Sequence, residues 1–405
     1  MEQKRGLFFV LPSMVLMLFF SPALLFSADI SVSELEFISR GGWSDEADSV
    51  VIATRGMSEM TISGGYKFGG SIALGFESGD LSYAGEEAPD IEDEKYDDGA
   101  GGYEQEAYLE DLSSYLDKQT SLDFLGAQVT YRDLGGENTE LSYFVGLADR
   151  LVSGEDFPEH FGTLPFSTAY QGYYYFPQNA YRGLHRIKGT GLRVSTGFGS
   201  EQHRSSFYFY QDGNSNLDPG TYSGDYRGQF SFEDLQLEYF AGTTFPEGDY
   251  GLYRTGVLLY YSPSERGDFF AQVGIPRWQP LERLTIEHFY FLFEPRVHFD
   301  PLSVILTLFW RPEYYSMAQT GDSGKADINA NFRVGDPFED RITGGVETNL
   351  KMDTENISQD MQLSASPYVK ALAGGVIWNF SLHFNILPYD LSSLVEGSIG
   401  IKAEF

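Results

Sequence analysis

An all-β fold of short two-faced strands is predicted by three features of this 405-residue chain. First, polarity alternates: Val376, Trp378, Phe380, Leu382, Phe384 and Ile386 share one parity, and Asn379, Ser381, His383 and Asn385 the other. A period of two puts successive side chains on opposite faces of a strand. Second, aromatic content is 16%, with 27 Tyr and 33 Phe, although mean hydropathy is only −0.26. Third, short turn-rich connections and long polar ones separate the alternating stretches. An apolar outer band, aromatic girdles and a polar interior reconcile that modest hydropathy with residence in a membrane. The expected architecture is a transmembrane antiparallel β-barrel of about sixteen strands, within roughly 14–18. Length alone allows two or three domains, but a barrel of this size is one unit.

Taken in order, the chain opens with Lys4 and Arg5, an apolar run from Gly6 to Phe26, and Ser27-Ala28. These are the charged, apolar and small-residue regions of a secretory signal peptide, so residues 1–28 are expected to be cleaved and 29–405 to form the single barrel domain. No cysteine is present, which excludes disulfides, a lipid-modified cysteine and Cys-based metal sites. Beyond residue 28 no apolar stretch reaches the roughly 18 residues of a spanning helix. Asp29–Asp48 is not strongly strand-like and would serve as an N-terminal plug in a closed barrel.

Alternation then recurs at 60–68, 71–77, 125–132, 141–147, 192–198, 235–241, 304–311, 326–334, 342–350 and 361–371. Residues 134–138, 262–266, 299–301 and 335–337 hold the Gly, Pro, Asn and Asp that tight turns need. Residues 79–118, 152–163, 211–225 and 315–325 read as longer polar loops. Counted back from the C-terminus, the short 200–202 turn falls among the long loops, so one strand is missed or merged near 200–230. A secreted β-sandwich is the competing architecture, but one sandwich could hardly hide so many apolar faces.

The final strand carries the most specific signal. Val395, Ile399, Ile401, Ala403 and Phe405 share one parity, with Gly397 the gap, while Glu396, Ser398, Lys402 and Glu404 share the other. This segment resembles the C-terminal signature of bacterial outer-membrane β-barrels, which ends in Phe. The resemblance implies the outer membrane of a bacterium with two membranes, periplasmic termini, short inner turns and long outer loops. It implies outer-membrane lipid and the barrel-assembly machinery as partners, with Val395, Ile399, Ile401, Ala403 and Phe405 as the assembly signal. A porin-like relative would also form a homotrimer, although no flat apolar interface is legible.

Net charge is −32, becoming −33 once Glu2, Lys4 and Arg5 are removed and 58 acidic face 25 basic residues. Nucleic acid is excluded as a partner, because phosphate binding needs a basic footprint. From Asp80 to Asp117 there are 14 Asp or Glu against one Lys95, most simply a solvated loop insertion over 79–118. Folded inward, its Asp90, Glu92, Asp93, Glu94, Asp97 and Asp98 would instead narrow a pore; their spacing is not that of an EF-hand, and no metal site or cofactor is expected.

On the polar parity lie Lys67, Arg132, Arg193, Glu238, Glu294, Arg296, Arg311, Asp327, Arg333, Arg341 and Glu347. Such charges cannot face lipid, where a cation near the midplane costs about 2–4 kcal/mol, so they are expected to line water. A hydrated wall of mixed charge makes a channel that selects small hydrophilic solutes by field and size. Arg182, Arg186, Lys188 and Arg193 form the densest basic cluster, suited to steering anions or to anchoring at the membrane interface.

Catalysis is not expected. No H-E-x-x-H or G-x-S-x-G motif occurs, and His383, Asn385 and a nearby Ser364, though superficially similar to the Ser-His-Asn set of outer-membrane phospholipases, would face the lumen rather than lipid. The expected function is passive diffusion of small hydrophilic solutes. The alternatives are a plugged transporter of hydrophobic compounds, of the fatty-acid-channel type, and a surface barrel whose loops bind ligands.

Overall fold

The computed structural model describes residues 28–403 except 45–48, 66, 79–119, 137, 154–183, 199–202, 214–220, 246–249, 265, 312–324, 336–339, 354–360 and 390–393. Residues 1–27 of the expected signal segment, the acidic insertion, Arg182 and Phe405 therefore lie outside the described residues.

Eighteen strands are present among the described residues, at the upper edge of the expected range. They run β1 (Ala28–Ser44), β2 (Ser49–Gly64), β3 (Phe68–Ser78), β4 (Thr120–Tyr131), β5 (Thr139–Leu151) and β6 (His185–Phe198). Then come β7 (His203–Asp212), β8 (Tyr222–Ser231), β9 (Leu235–Phe245), β10 (Leu252–Ser264), β11 (Gly267–Trp278) and β12 (Tyr290–Phe299). The last six are β13 (Leu302–Arg311), β14 (Lys325–Val334), β15 (Ile342–Asp353), β16 (Gln362–Ala373), β17 (Val376–Leu387) and β18 (Val395–Ala403). Every strand pairs antiparallel with its sequence neighbours, and β1 closes the ring on β18 from Leu35↔Ala403 to Gly42↔Glu396. Closure satisfies every wall strand on both edges, which a sheet in hydrocarbon requires.

Two sequence expectations are corrected. Of Asp29–Asp48, read as a candidate plug, residues 29–44 belong to a wall strand paired on both sides, and 45–48 lie outside the described residues. Its Gly41, Gly42, Ser39 and Arg40 break the apolar alternation, so the partners on β2 and β18 specify the strand rather than its own pattern. The stretch 211–225 is not one loop: Gln211 and Asp212 end β7, and Tyr222–Asp225 open β8. Within 200–230, β8 is the strand that was missed. Its outward face is Tyr222, Gly224, Tyr226, Gly228 and Phe230, and its inward face Ser223, Asp225, Arg227 and Gln229, so it lacks the aliphatic residues that advertise a strand. Restoring it moves the 199–202 connection to the short-turn end, where the order of strands requires it.

With eighteen strands every connection longer than seven residues falls at one end. One end carries both described termini and connections such as 232–234, 300–301 and 374–375; the other carries 79–119, 152–184 and 312–324. Outward positions are apolar and exposed, including Leu192, Phe207, Phe209, Phe291, Phe332, Phe380 and Leu382. Aromatic contacts gather at both ends of this face. Phe209–Tyr222, Phe245–Tyr253 and Tyr253–Trp278 lie toward the long connections, and Phe68–Tyr131, Phe198–His203 and His203–Phe230 toward the short turns. These are the two girdles expected where a barrel meets two lipid–water interfaces.

Candidate functional site: the barrel interior

Strand pairing sets which residues meet inside. On the β14–β18 side a row of amides and hydroxyls runs across the inward wall among charged Asp327, Arg333 and Glu347: Asn329 faces Asn349, Asn349 faces Ser364, and Ser364 faces Asn385 across successive strands. Ser366 Oγ lies 2.8 Å from His383 Nδ1, and His383 Nε2 lies 2.9 Å from Asn385 Oδ1. The hydroxyl partner of His383 is thus Ser366, one inward position from the expected Ser364. All three project from the paired strands β16 and β17, and their bonds run along the wall as the Ser381–Ser398 contact at 2.6 Å does.

The β5–β13 side is built from ion pairs. Arg227 donates from Nε and Nη2 to the two oxygens of Glu238, at 2.9 and 3.1 Å. Arg254 donates from Nε and Nη2 to Asp225 at 2.7 and 2.6 Å, and Tyr210 donates to the same carboxylate at 2.9 Å. Arg296 spans Glu294 at 2.8 Å and Asp268 at 3.4 Å, with Thr307 donating to Glu294 at 2.8 Å. Two-pronged geometry of this kind suits guanidinium and carboxylate, and the extra hydroxyls satisfy lone pairs that burial would otherwise leave bare.

Between these groups lies an apolar cluster inside the barrel: Phe144, Tyr208, Phe240, Leu258, Phe270, Leu292 and Phe309 face inward from the wall. Leu151, Val152 and Leu184, where the β5–β6 connection leaves and rejoins the wall, pack into it and are essentially fully buried. The Val152 N–H donates to Glu238 at 2.5 Å, and Gln272 donates to the Val152 carbonyl at 2.6 Å. Leu184 rests over Gly256 and Gly274, where any Cβ would come within 2.6 Å of its methyl. The base of this connection therefore reaches across the lumen to β9, β10 and β11. Val152 holds φ at +58°, costly for a β-branched residue by about 1–2 kcal/mol, and the flanking bonds hold it there.

Of the residues expected to line the interior, Arg193, Glu238, Glu294, Arg296, Asp327, Arg333 and Glu347 occupy inward positions. Arg311 holds an inward register position opposite Lys325. Lys67, Arg132 and Arg341 stand in connections at the short-turn rim instead. The basic cluster divides: Arg193 is inside, whereas Arg186 and Lys188 lie on the outward parity near the long-connection end. Sequence reasoning missed Asp149, Arg204, Asp225, Arg227, Arg254 and Asp268. The available signal was their shared parity with Arg193 and Glu238, hidden by the β5 bulge between Leu147 and Asp149 and by the unrecognised β8.

At the short-turn end, β4 to β8 enclose a polar cavity of about 340 Å³. Glu140 there bridges Arg132 at 3.3 Å and Arg204 at 2.9 Å, and Asp149 bridges Arg193 at 2.9 Å and Arg227 at 3.7 Å.

No protein-family model matches the chain, and no curated protein matches it. Solved structures do. A triple mutant of the Rh. blastica porin is similar at 10% identity over 94% of this chain and 100% of that one, with a TM-score of 0.46. Salmonella typhi OmpF, in complex with daunomycin, is similar at 9% identity over 94% and 98%, with a TM-score of 0.46. Acinetobacter baumannii OccAB4 is similar at 10% identity over 95% and 99%, with a TM-score of 0.49. At these scores the likeness carries no functional weight, and the fold stands on the chain's own strand ladder.

Proposed function

We propose that this chain is an outer-membrane, porin-like channel for passive diffusion of small hydrophilic solutes. The observation that carries the reading is the closed ring of strands with an apolar outer face and a charged and hydroxyl-rich inner face. The eighteen strands hold 17 acidic and 17 basic residues, so the wall is polar yet neutral overall. A wall of that kind hydrates a lumen without trapping one sign of ion. The base of the β5–β6 connection, pinned by Glu238 and Gln272, forms the narrowing that sets a size limit, and the paired arginines and carboxylates beside it set a transverse field. The outward face meets lipid, and the C-terminal strand is read by the assembly machinery.

Liposome swelling tests this reading. Vesicles holding the refolded mature chain should swell in isosmotic pentose, and more slowly as the sugar grows to a di- or trisaccharide. No swelling in pentose, with the barrel folded and inserted, would contradict diffusion. The apolar cluster inside the lumen favours one second reading, a closed transporter of hydrophobic compounds, which that negative result would support.

A further inference from the structure

We propose that the β11–β12 connection, residues 279–289 at the long-connection end, rests on the lipid surface and holds a phosphate-bearing lipid against the barrel. Leu281, Leu284 and Ile286 would meet the acyl chains and Arg283 the phosphate. The inference goes beyond the channel reading, since it concerns what lies against the wall and not what crosses the lumen.

The connection leaves from and returns to the outward girdle. Trp278, at the end of β11, is the register partner of outward Tyr253, and their rings lie 6.2 Å apart. On the return, β12 places Phe291 outward opposite Val273. The Trp278 indole N–H donates to the Glu282 carbonyl at 3.1 Å, which fastens the first turn of the connection to a girdle side chain. The backbone is then tied to itself. The Glu282 N–H donates to the Gln279 carbonyl at 2.9 Å, the Phe289 N–H to the Ile286 carbonyl at 3.0 Å, and the Thr285 N–H to His288 Nδ1 at 3.2 Å. Backbone satisfied within its own segment suits a surface where water is scarce.

From this tied backbone Leu281, Leu284 and Ile286 project at 73%, 45% and 66% exposure, as open as the outward wall residues Phe209 and Phe380 at 64% and 44%. Every other connection at that end shows at most one exposed large apolar side chain among its described residues. Exposed apolar side chains gathered in one place mark an interaction surface. Charge then selects the partner. Arg283 stands exposed between Leu281 and Leu284, and no other Lys or Arg occurs among the described residues of these connections. Apolar side chains flanking an arginine suit the boundary between acyl chains and headgroups, and guanidinium binds phosphate two-pronged. Continuity with the girdle favours lipid over a water-soluble partner.

Because the chain has no cysteine, single labels can test the assignment. Leu281→Cys and Ile286→Cys, each carrying an environment-sensitive fluorophore, would be refolded into phosphatidylcholine vesicles, with heat-modifiable gel migration confirming the fold. Blue-shifted emission is expected, quenched by a nitroxide on the lipid acyl chain and protected from iodide present on both sides of the membrane. Adding phosphatidylglycerol should increase the nitroxide quenching, and Arg283→Gln should lose that increment. Quenching by iodide and not by the nitroxide overturns the proposal in favour of a solvated loop. Protection from both quenchers overturns it in favour of burial against a second copy of the chain. An increment retained by Arg283→Gln overturns the assignment of the phosphate to Arg283. A barrel that passes no ions yet gives the expected quenching would remove the channel reading and leave this one standing.

Discussion

Among individual residues, the heaviest demands fall on Asp225 and Arg254. Both are nearly inaccessible, joined by two short bonds and further held by Tyr210 and Thr244. Removing one member of a buried pair strands the other, at a cost of about 3–5 kcal/mol, whereas replacing both with apolar groups is far milder. Arg254→Met should therefore lower the midpoint of urea unfolding in lipid vesicles markedly, and adding Asp225→Leu should recover much of the loss. Equal destabilisation by the single and double variants would show that the pair is not what holds this part of the lumen. Neither member was legible in the sequence: Asp225 lay in a stretch that resembled a loop, and Arg254 was not singled out. Glu238 and Arg296 were legible as inward residues from parity alone; their partners were not, since pairing across strands depends on a register that bulges reset.

Among the elements, the β5–β6 connection matters most. Its two bases converge on the interior from adjacent strands, and Leu184 exploits Gly256 and Gly274 to lie against β10 and β11. Val152→Asp would put a carboxylate beside Glu238 in a site from which water is largely excluded, and like charges at that range repel strongly. The base should leave its seat, and single-channel conductance should rise with the barrel still folded. Unchanged conductance would mean that this segment does not limit flow. The strands themselves were mostly legible: β17 and β18 announce themselves by strict alternation. Strands β1 and β8 do not, because Gly, Ser and Tyr occupy outward positions where neighbours, rather than their own apolarity, fix them in the wall. The expectation of about sixteen strands fell short at these places, while the even number and the alternation of connections between two ends follow from antiparallel closure.

For the molecule as a whole, charge is distributed by position. The nine connections at the long-loop end carry 30 Asp and Glu against 4 Lys and Arg, and the short-turn end, with residues 404–405, carries 11 against 4. With 17 of each in the strands, these account for all 58 acidic and 25 basic residues after residue 28. On the proposed channel reading, a neutral conduit with one strongly acidic mouth would concentrate cations there at low ionic strength, and screening would remove the effect as the Debye length shrinks from about 30 Å at 0.01 M to about 3 Å at 1 M. Single-channel recording of the refolded mature chain in a planar bilayer bounded by KCl is the most direct test. Discrete conductance steps that scale with salt concentration are predicted, with a reversal potential favouring K⁺ in dilute gradients and fading in concentrated ones. A barrel that is folded and inserted yet gives no steps at any salt concentration would contradict the water-filled channel itself.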